Sequence, residues 1–168
     1  MMLAEVATKA RPNSGAVRIE PIHDEALIGA TLRHPRIFPH IRDDGCPTAA
    51  SLQIVLSDSL RYLGVFDGDR FLGLFLAHPH NLALFEVHTC LLPEAWGPTA
   101  VEAAKACAAW LYENTPCRRI VTCVPEGNVL ALRLARQAGM TEYGRNPRSL
   151  LRDGVLLDQI LLGMNKEE

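Results

Sequence analysis

The sequence predicts an α/β (α+β) fold, in which a mixed, mostly antiparallel sheet of six to seven strands is flanked by about four helices. Three observations support this prediction. Two pairs of apolar runs are each joined by an Asp-Gly turn, which is typical of hairpins because these residues accept the positive φ of tight turns. An alanine-rich helical stretch lies between the two pairs. The segment Cys117–Met140 has the pattern of a strand, a turn and a helix with both helix ends marked.

Length and composition are those of one ordinary domain. The chain has 168 residues, of which 48% are hydrophobic and 21% charged, and its net charge is −2. We therefore expect a flexible lead-in over residues 1–16, a single domain over residues 17–168 and no nucleic-acid partner. The short apolar runs and the lack of a signal-peptide pattern predict no membrane partner and a cytoplasmic location. Five cysteines without a CxxC pair indicate reduced thiols and no zinc site.

The N-terminal third is predicted to contain one short strand and two helices. Val17–Pro21 is the strand, and Asp24 is placed to cap a helix that the prolines Pro35 and Pro39 must end. A long loop follows, with the sequence RHPRIFPHIRDDGC. A second helix is predicted after Thr48, with apolar residues on or near its buried side: Leu52, Ile54, Val55 and Leu56.

Three consecutive strands are predicted next. Arg61–Phe66 and Arg70–Ala77 form a hairpin around the turn DGD. Leu82–Leu92 is a third strand, along which Glu86, His88 and Cys90 share one face because side chains alternate along a strand. An alanine-rich helix follows, and Thr99 and Glu102 stand at the spacing of a capping box at its start.

The C-terminal third has the clearest boundaries. Arg119–Val124 is a short β-branched run that predicts a buried strand. Asn128 is a good N-cap for the helix that follows. Gly139 lies at the end of this helix, where glycine commonly adopts the left-handed conformation that ends a helix. The chain then closes in a hairpin with Asp153-Gly154 as its turn.

The C-terminal helix has the sequence NVLALRLARQAGM, and the turn before the alanine-rich helix has the sequence LLPEAWG. In this order of elements, these two motifs resemble the GNAT (GCN5-related N-acetyltransferase) family of acyl-CoA-dependent N-acyltransferases. The first is the C-terminal helix, which is similar to the family pattern NxxAxxLYxKxGF. The second is the turn LLPEAWG, which is similar to the family turn hPexrG. The turn PEGN also resembles turns in small GNAT-like proteins of phage and prophage. The matching residues are Asn128, Ala131, Leu134 and Gly139 in the helix and Pro93, Glu94 and Gly97 in the turn.

The resemblance implies an acetyl-CoA co-substrate that lies between the strands Leu82–Leu92 and Arg119–Val124. Its pyrophosphate would meet the loop Trp96–Val101, where free amides at a helix N-terminus suit an anion. This loop departs from the family pattern Q/R-x-x-G-x-G/A at Trp96, Thr99 and Val101, and Pro98 removes one amide donor. The coenzyme-contacting residues implied by the resemblance are Leu91, Leu92, Trp96, Gly97, Thr99, Ala100, Asn128 and Ala131.

Direct acyl transfer to an amine needs a general base, and often an acid for the leaving thiolate. Glu86 and His88 are the candidates for the base, because both lie on one face of the strand that would border the thioester. The tyrosine that usually supplies the acid in this family is replaced by Ala135, and Tyr143 is a weak substitute. His78 and His80 would point to one strand face, but with no third ligand visible in the sequence they predict no metal site.

The leading hypothesis is therefore transfer of an acetyl group from acetyl-CoA to a small-molecule or peptide amine, in a chain that could form a homo-oligomer. The alternative is a GNAT-fold binding or structural module that has lost the coenzyme, for example one encoded by a phage. The degenerate loop Trp96–Val101 favours the alternative, and Trp96 could plug the groove or anchor a partner. The helix starting at Asn128 and the polar pair Glu86 and His88 favour the enzyme.

Overall fold

The computed structural model describes residues 16–167, so the lead-in predicted over residues 1–16 lies almost wholly outside the described residues. Within this range the chain forms one seven-stranded sheet with four α-helices, which confirms the predicted fold class. Two 3-10 turns, Ala49–Ser51 and Pro93–Ala95, complete the structure. The elements in chain order are β1 (Arg18–Pro21), α1 (Glu25–Leu32), α2 (Phe38–Ile41), β2 (Arg61–Asp67), β3 (Arg70–Pro79), β4 (Leu84–Leu91), α3 (Pro98–Asn114), β5 (Arg119–Pro125), α4 (Val129–Gln137), β6 (Thr141–Arg152) and β7 (Val155–Asn165).

The sheet has the strand order β1-β2-β3-β4-β5-β7-β6, and all neighbours are antiparallel except β4 and β5. The parallel pair is short. Its register runs from Leu84 opposite Arg119 to Glu86 opposite Val121, and there the pairing stops. Beyond this point β4 and β5 no longer pair with each other, although each stays paired with its other neighbour, so a gap opens inside the sheet.

Both hairpin turns predicted from Asp-Gly are confirmed. Gly68 has a φ of 59° in the turn between β2 and β3. Asp153 and Gly154 have φ values of 52° and 72° in the turn between β6 and β7. In both places the backbone adopts the left-handed conformation that these residue types tolerate at low cost.

The helices cover both faces of the sheet. On one face α3 packs on β2, β3 and β4 through a large apolar cluster that includes the fully buried Leu63, Phe75 and Leu111. On the other face α1 packs through Ile28 and Leu32. The residues of α4 pack with β5 and β7 in a third cluster. Among residues 16–167, none of the helices is both long and apolar enough to cross a membrane.

The predicted alternation along β4 is confirmed. Cys90 packs in the cluster of α1, whereas Phe85, Val87 and Leu91 pack in the cluster of α3. The side chains of Glu86 and His88 share the face of Cys90, because they are four and two residues away from it. Both polar side chains therefore lie on the α1 side of the sheet.

Strands β3 and β4 approach each other closely at Gly73, which faces Leu91. Gly73 has a φ of 118°. A Cβ atom at this position would lie 2.6 Å from the carbonyl oxygen of Cys90 and 2.7 Å from the Cα atom of Leu91. Only glycine satisfies both conditions without a shift of the backbone.

The prediction of a helix after Thr48 is wrong. The chain forms only the 3-10 turn Ala49–Ser51, and Val55 and Leu56 are 55% and 47% exposed. Thr48 does cap the turn, but Arg33 of the preceding loop donates hydrogen bonds to two carbonyl oxygens, those of Ala49 at 3.2 Å and Leu52 at 2.6 Å. A longer helix would need these carbonyls for its own amides.

The capping box predicted at Thr99 and Glu102 is also wrong. The N-cap of α3 is Gly97, two residues before the predicted Thr99, with a φ of 89°, and within residues 16–167 no side chain caps this helix. Glu102 instead accepts a hydrogen bond from the amide of Val17 at 3.1 Å. The caps predicted at Asp24 and Asn128 are confirmed by hydrogen bonds from the amides of Leu27 at 3.0 Å and Ala131 at 3.2 Å, and Gly139 has the predicted positive φ of 102°.

Candidate active site

A cleft of about 810 Å³ opens beside the C-terminal half of β4. It is bounded by β4, the N-terminus of α3, one side of α4 and the segment around α2. A smaller cavity of about 120 Å³ reaches into the gap between β4 and β5. Both are lined by Thr89, Asn128 and Ala131, so they adjoin each other. An extended ligand could therefore lie along the cleft with one end in the sheet.

The outer end of the cleft is suited to an anion. Helix α3 begins at this end, and the dipole of a helix places partial positive charge at its N-terminus. Pro98 has no N–H group, and the amides of Ala100 and Val101 donate to the carbonyl oxygen of Gly97 at 3.1 and 3.4 Å, so side chains must supply most of the direct contacts to an anion. Two arginines line the same cleft, Arg36 before α2 and Arg133 on α4, and both are exposed. The carboxylate of Glu102 is bonded to the amide of Val17 and does not cap the helix.

Trp96 forms one wall of this end. Its indole Nε1 donates a hydrogen bond of 3.0 Å to the carbonyl oxygen of Leu91, the last residue of β4. The guanidinium carbon of Arg36 lies 5.1 Å from the centre of the indole ring, within the range of a cation–π contact. The tryptophan is 37% exposed and is held in place from both sides.

Six of the eight residues that the resemblance implied as coenzyme contacts line the cleft: Leu91, Trp96, Gly97, Ala100, Asn128 and Ala131. The lining does not include Leu92 and Thr99. The amide of Leu92 donates to the carbonyl of Leu72 at 2.9 Å, so this donor is used within the sheet. Likewise the side-chain oxygen of Asn128 caps α4.

The inner end of the site carries a cluster of three histidines around the carboxylate of Glu86. His78 lies opposite Glu86 in the register of β3 and β4, and His88 lies opposite Leu76. The His80 Nε2 atom is 2.8 Å from Glu86 Oε2, which is a hydrogen bond. The Nε2 atoms of His78 and His88 lie 3.8 Å from Oε2 and 3.5 Å from Oε1 respectively. We call His78, His80, Glu86 and His88 the histidine cluster.

The electrostatics of the cluster favour a neutral imidazole at His88. Burial lowers the pKa of His88 below its usual value; the negative charge of Glu86 opposes this shift, and His78 and His80 reinforce it. The Glu86 side chain is only 14% exposed, whereas that of His88 is 39% exposed and lines the smaller cavity. Of the two predicted bases, His88 is thus the one that borders the space where a substrate would lie.

Two further groups lie next to the cluster on β5 and β6. Burial raises the pKa of the Cys123 thiol to about 11, and the nearby Glu86 carboxylate, to which the thiol donates a hydrogen bond, adds to the shift. Burial also raises the pKa of Tyr143, whose ring centre lies 4.9 Å from the guanidinium carbon of Arg119. Ala135, where the family has its tyrosine, is buried and lines the smaller cavity.

Sequence reasoning missed three contributions to the site. Arg36 and Arg133 belong to segments that showed no phosphate-binding motif, and only the fold brings them to one cleft. The third missed contribution is Glu86, which lies eight residues after His78 in the sequence and joins His78 and His80 as a possible metal ligand. The period-two patterns of β3 and β4 place His78 and Glu86 on one face, and His80 directly follows β3, so a correct register would have found this contact.

Solved acetyltransferase structures are similar to this chain over nearly its whole length. Spermidine N-acetyltransferase from Vibrio cholerae, in complex with CoA and spermine, is 16% identical, with 89% of this chain and 95% of that chain covered and a TM-score of 0.74. Ribosomal-protein-S5-alanine acetyltransferase from Vibrio fischeri is 16% identical, with coverage of 92% and 96% and a TM-score of 0.72. Aminoglycoside acetyltransferase AAC(6')-Ib, in complex with coenzyme A, is 14% identical, with coverage of 89% and 95% and a TM-score of 0.69.

These similarities show that the chain has the fold of the GNAT acyltransferases, as the sequence motifs had indicated. Residues 51–150 match a family described as "Protein of unknown function (DUF2824)", and the chain belongs to this family. A relative, protein p31 of Acyrthosiphon pisum secondary endosymbiont phage 1, is 26% identical over 113 residues, which are 67% of this chain and 73% of the phage protein. This relative supports the predicted likeness to phage proteins.

Proposed function

We propose that the protein transfers an acetyl group from acetyl-CoA to an amine acceptor. The observation that carries the proposal is the continuity of the site: the cleft runs from the N-terminus of α3 to the gap between β4 and β5, where His88 lies. The outer end offers positive charge for a pyrophosphate, and the inner end offers a base for the reacting amine. Two of the similar structures contain coenzyme A, which supports acyl-CoA as the co-substrate.

In the proposed reaction the amine nitrogen attacks the thioester carbonyl carbon, and a carbon–nitrogen bond replaces the carbon–sulfur bond. His88 accepts the proton that the amine loses. Glu86 orients the imidazole and stabilises its positive charge across the 3.5 Å between Nε2 and Oε1. The leaving thiolate takes up a proton, for which the Tyr143 hydroxyl is the candidate donor on this face of the sheet.

The acceptor belongs to the class of amines, either a small molecule or a peptide. A buried carboxylate beside the reacting position attracts a cationic amine, and the Glu86 side chain meets this description with its 14% exposure. The similar structures are named as acetyltransferases of spermidine and of aminoglycosides, which are amines.

One observation favours a second candidate, a non-catalytic GNAT-fold binding module. The indole of Trp96 already donates to the carbonyl oxygen of Leu91, at the end of β4 where a pantetheine amide would pair. A coenzyme would have to displace this hydrogen bond or use the main chain further back, near Thr89. If the indole stays in place, the cleft serves another ligand or partner, and no coenzyme binds.

Calorimetry with acetyl-CoA separates the two candidates. We expect one binding site per chain, and we expect Arg133→Ala and Arg36→Ala each to weaken binding about tenfold, because each removes one charge-assisted contact to phosphate. Arg70→Ala is the matched control, because Arg70 is exposed in the hairpin of β2 and β3, outside the cleft lining. It should leave the affinity unchanged.

An absence of heat and of any thermal shift at millimolar acetyl-CoA would refute the acetyltransferase proposal in favour of the binding module. A loss of affinity in Arg70→Ala equal to that in Arg133→Ala would show non-specific attraction instead of a defined site. Desulfo-CoA, which keeps the phosphates but carries no acyl group, should bind with an affinity close to that of CoA, because the proposed anion contacts lie at the opposite end of the cleft.

A further inference from the structure

We propose that His78, His80 and Glu86 form a binding site for a divalent transition metal of the Zn²⁺ type. The nitrogen and oxygen ligand atoms of these three residues all lie within 4.8 Å of one another. Two imidazoles and one carboxylate are a donor set that zinc uses when a fourth position stays open to water. This site goes beyond acetyl transfer and does not depend on it.

The backbone sets the geometry of the three ligands. His78 and Glu86 are directly opposite each other in the antiparallel register of β3 and β4, so their side chains leave the same face of the sheet side by side. His80 follows β3 immediately and comes back to the same carboxylate oxygen. His78 and Glu86 are held on strands and therefore keep a more constant geometry than ligands held on loops.

The distances are close to those of a metal site before the ion enters. Zinc–ligand bonds of about 2.0–2.1 Å place neighbouring tetrahedral ligand atoms about 3.3–3.5 Å apart. The His78 Nε2 to Glu86 Oε2 distance is 3.8 Å, and the corresponding His80 distance is 2.8 Å. A small outward rotation of His80 suffices, and this side chain is 43% exposed and free to make it.

A hydrogen-bonded cluster alone does not account for the arrangement. Of His78 and His80, only His80 is within ordinary hydrogen-bonding distance of the carboxylate, while the Nε2 atom of His78 lies 3.8 Å from the same oxygen, beyond that distance. The rings of His78 and His80 are stacked at 5.3 Å between centroids, and those of His78 and His88 at 5.7 Å. A cation between the three ligand atoms accounts for their approach to within 4.8 Å of one another.

His88 has a supporting part in this site. Its Nε2 atom is 3.5 Å from the second carboxylate oxygen of Glu86, Oε1, which leaves Oε2 for the metal. Partners of this kind orient a metal-binding carboxylate, and their loss usually weakens metal binding about 10–100-fold. Imidazole and carboxylate together suit zinc, cobalt, nickel and copper better than magnesium or calcium.

The test is titration of the tag-free full chain with Zn²⁺ after removal of metals with a chelator. We expect one Zn²⁺ per chain by calorimetry, and the same ratio by elemental analysis after dialysis. His78→Ala and His80→Ala should each weaken binding at least about 100-fold, since the loss of a ligand costs more than the loss of a supporting partner. Both side chains are partly exposed, so circular dichroism should show that both variants fold.

His23→Ala is the matched control, because His23 is exposed and precedes α1 outside the histidine cluster. It should bind Zn²⁺ like the unchanged chain. Addition of Co²⁺ provides a second readout, since a four-coordinate site gives strong visible absorption that His80→Ala should abolish. Substoichiometric binding to the unchanged chain, or equal affinity in His78→Ala, His80→Ala and the control, would overturn the proposal.

Discussion

His88→Ala is expected to lower the kcat of acetyl transfer about 100-fold or more, which is the usual contribution of a general base. The imidazole borders the cavity in the gap of the sheet and, because burial lowers its pKa, it is ready to accept a proton at neutral pH. Removal of the base acts on the chemical step alone. The affinity for acetyl-CoA, measured by calorimetry, should stay within a factor of about two of the original value, and steady-state kinetics supplies kcat.

The position of Glu86 behind His88 can be tested in the same assay. Glu86→Gln should lower kcat by about tenfold, and the double variant should be little slower than His88→Ala alone, because an orienting group has no effect once its imidazole is absent. Purely additive losses would show that Glu86 acts on its own. Unchanged kcat in His88→Ala would remove His88 as the base, and His23→Ala serves as the control for the loss of a histidine.

Gly73→Ala is expected to lower the free energy of unfolding by about 3 kcal/mol or more, since it combines a strained φ with a backbone clash. The added Cβ atom would meet the Cys90 carbonyl oxygen at 2.6 Å and the Leu91 Cα atom at 2.7 Å. These are main-chain atoms of β4 and cannot rotate away. Urea denaturation followed by circular dichroism measures the change.

Gly68→Ala is the control for this prediction. Gly68 also has a positive φ, 59°, but a Cβ atom there would have no neighbour within 4 Å. Its cost is limited to the conformational strain of about 1–2 kcal/mol. Equal losses in the two variants would show that the clash at Gly73 relaxes freely and that β3 and β4 do not need their close approach.

Much of the fold was predictable because its signals are local. The turns at Gly68 and Gly154 and the caps at Asp24, Asn128 and Gly139 depend on residues within four positions of each other. Alternation along a strand is local as well, which is why the shared face of Glu86 and His88 followed from the sequence. Such signals remain readable whenever the tertiary structure does not compete with them.

The errors arose where distant groups compete for backbone partners. Arg33 takes the carbonyls that a helix after Thr48 would use, and the amide of Val17 takes the carboxylate that was expected to cap α3. The histidine cluster needs the register of β3 against β4, and the arginines of the cleft need the packing of α2 and α4. None of these contacts has a signature in the local sequence.

The gap between β4 and β5 gives this sheet four edges instead of two. The outer edges are β1 and β6, and the inner pair begins where the parallel register ends at Glu86 and Val121. An exposed edge can recruit a strand from another chain, but the inner edges are covered by α3 and α4, which line the cavity there. A molecule that pairs with the inner edges therefore has to fit a cavity of about 120 Å³ and needs hydrogen-bonding groups of its own.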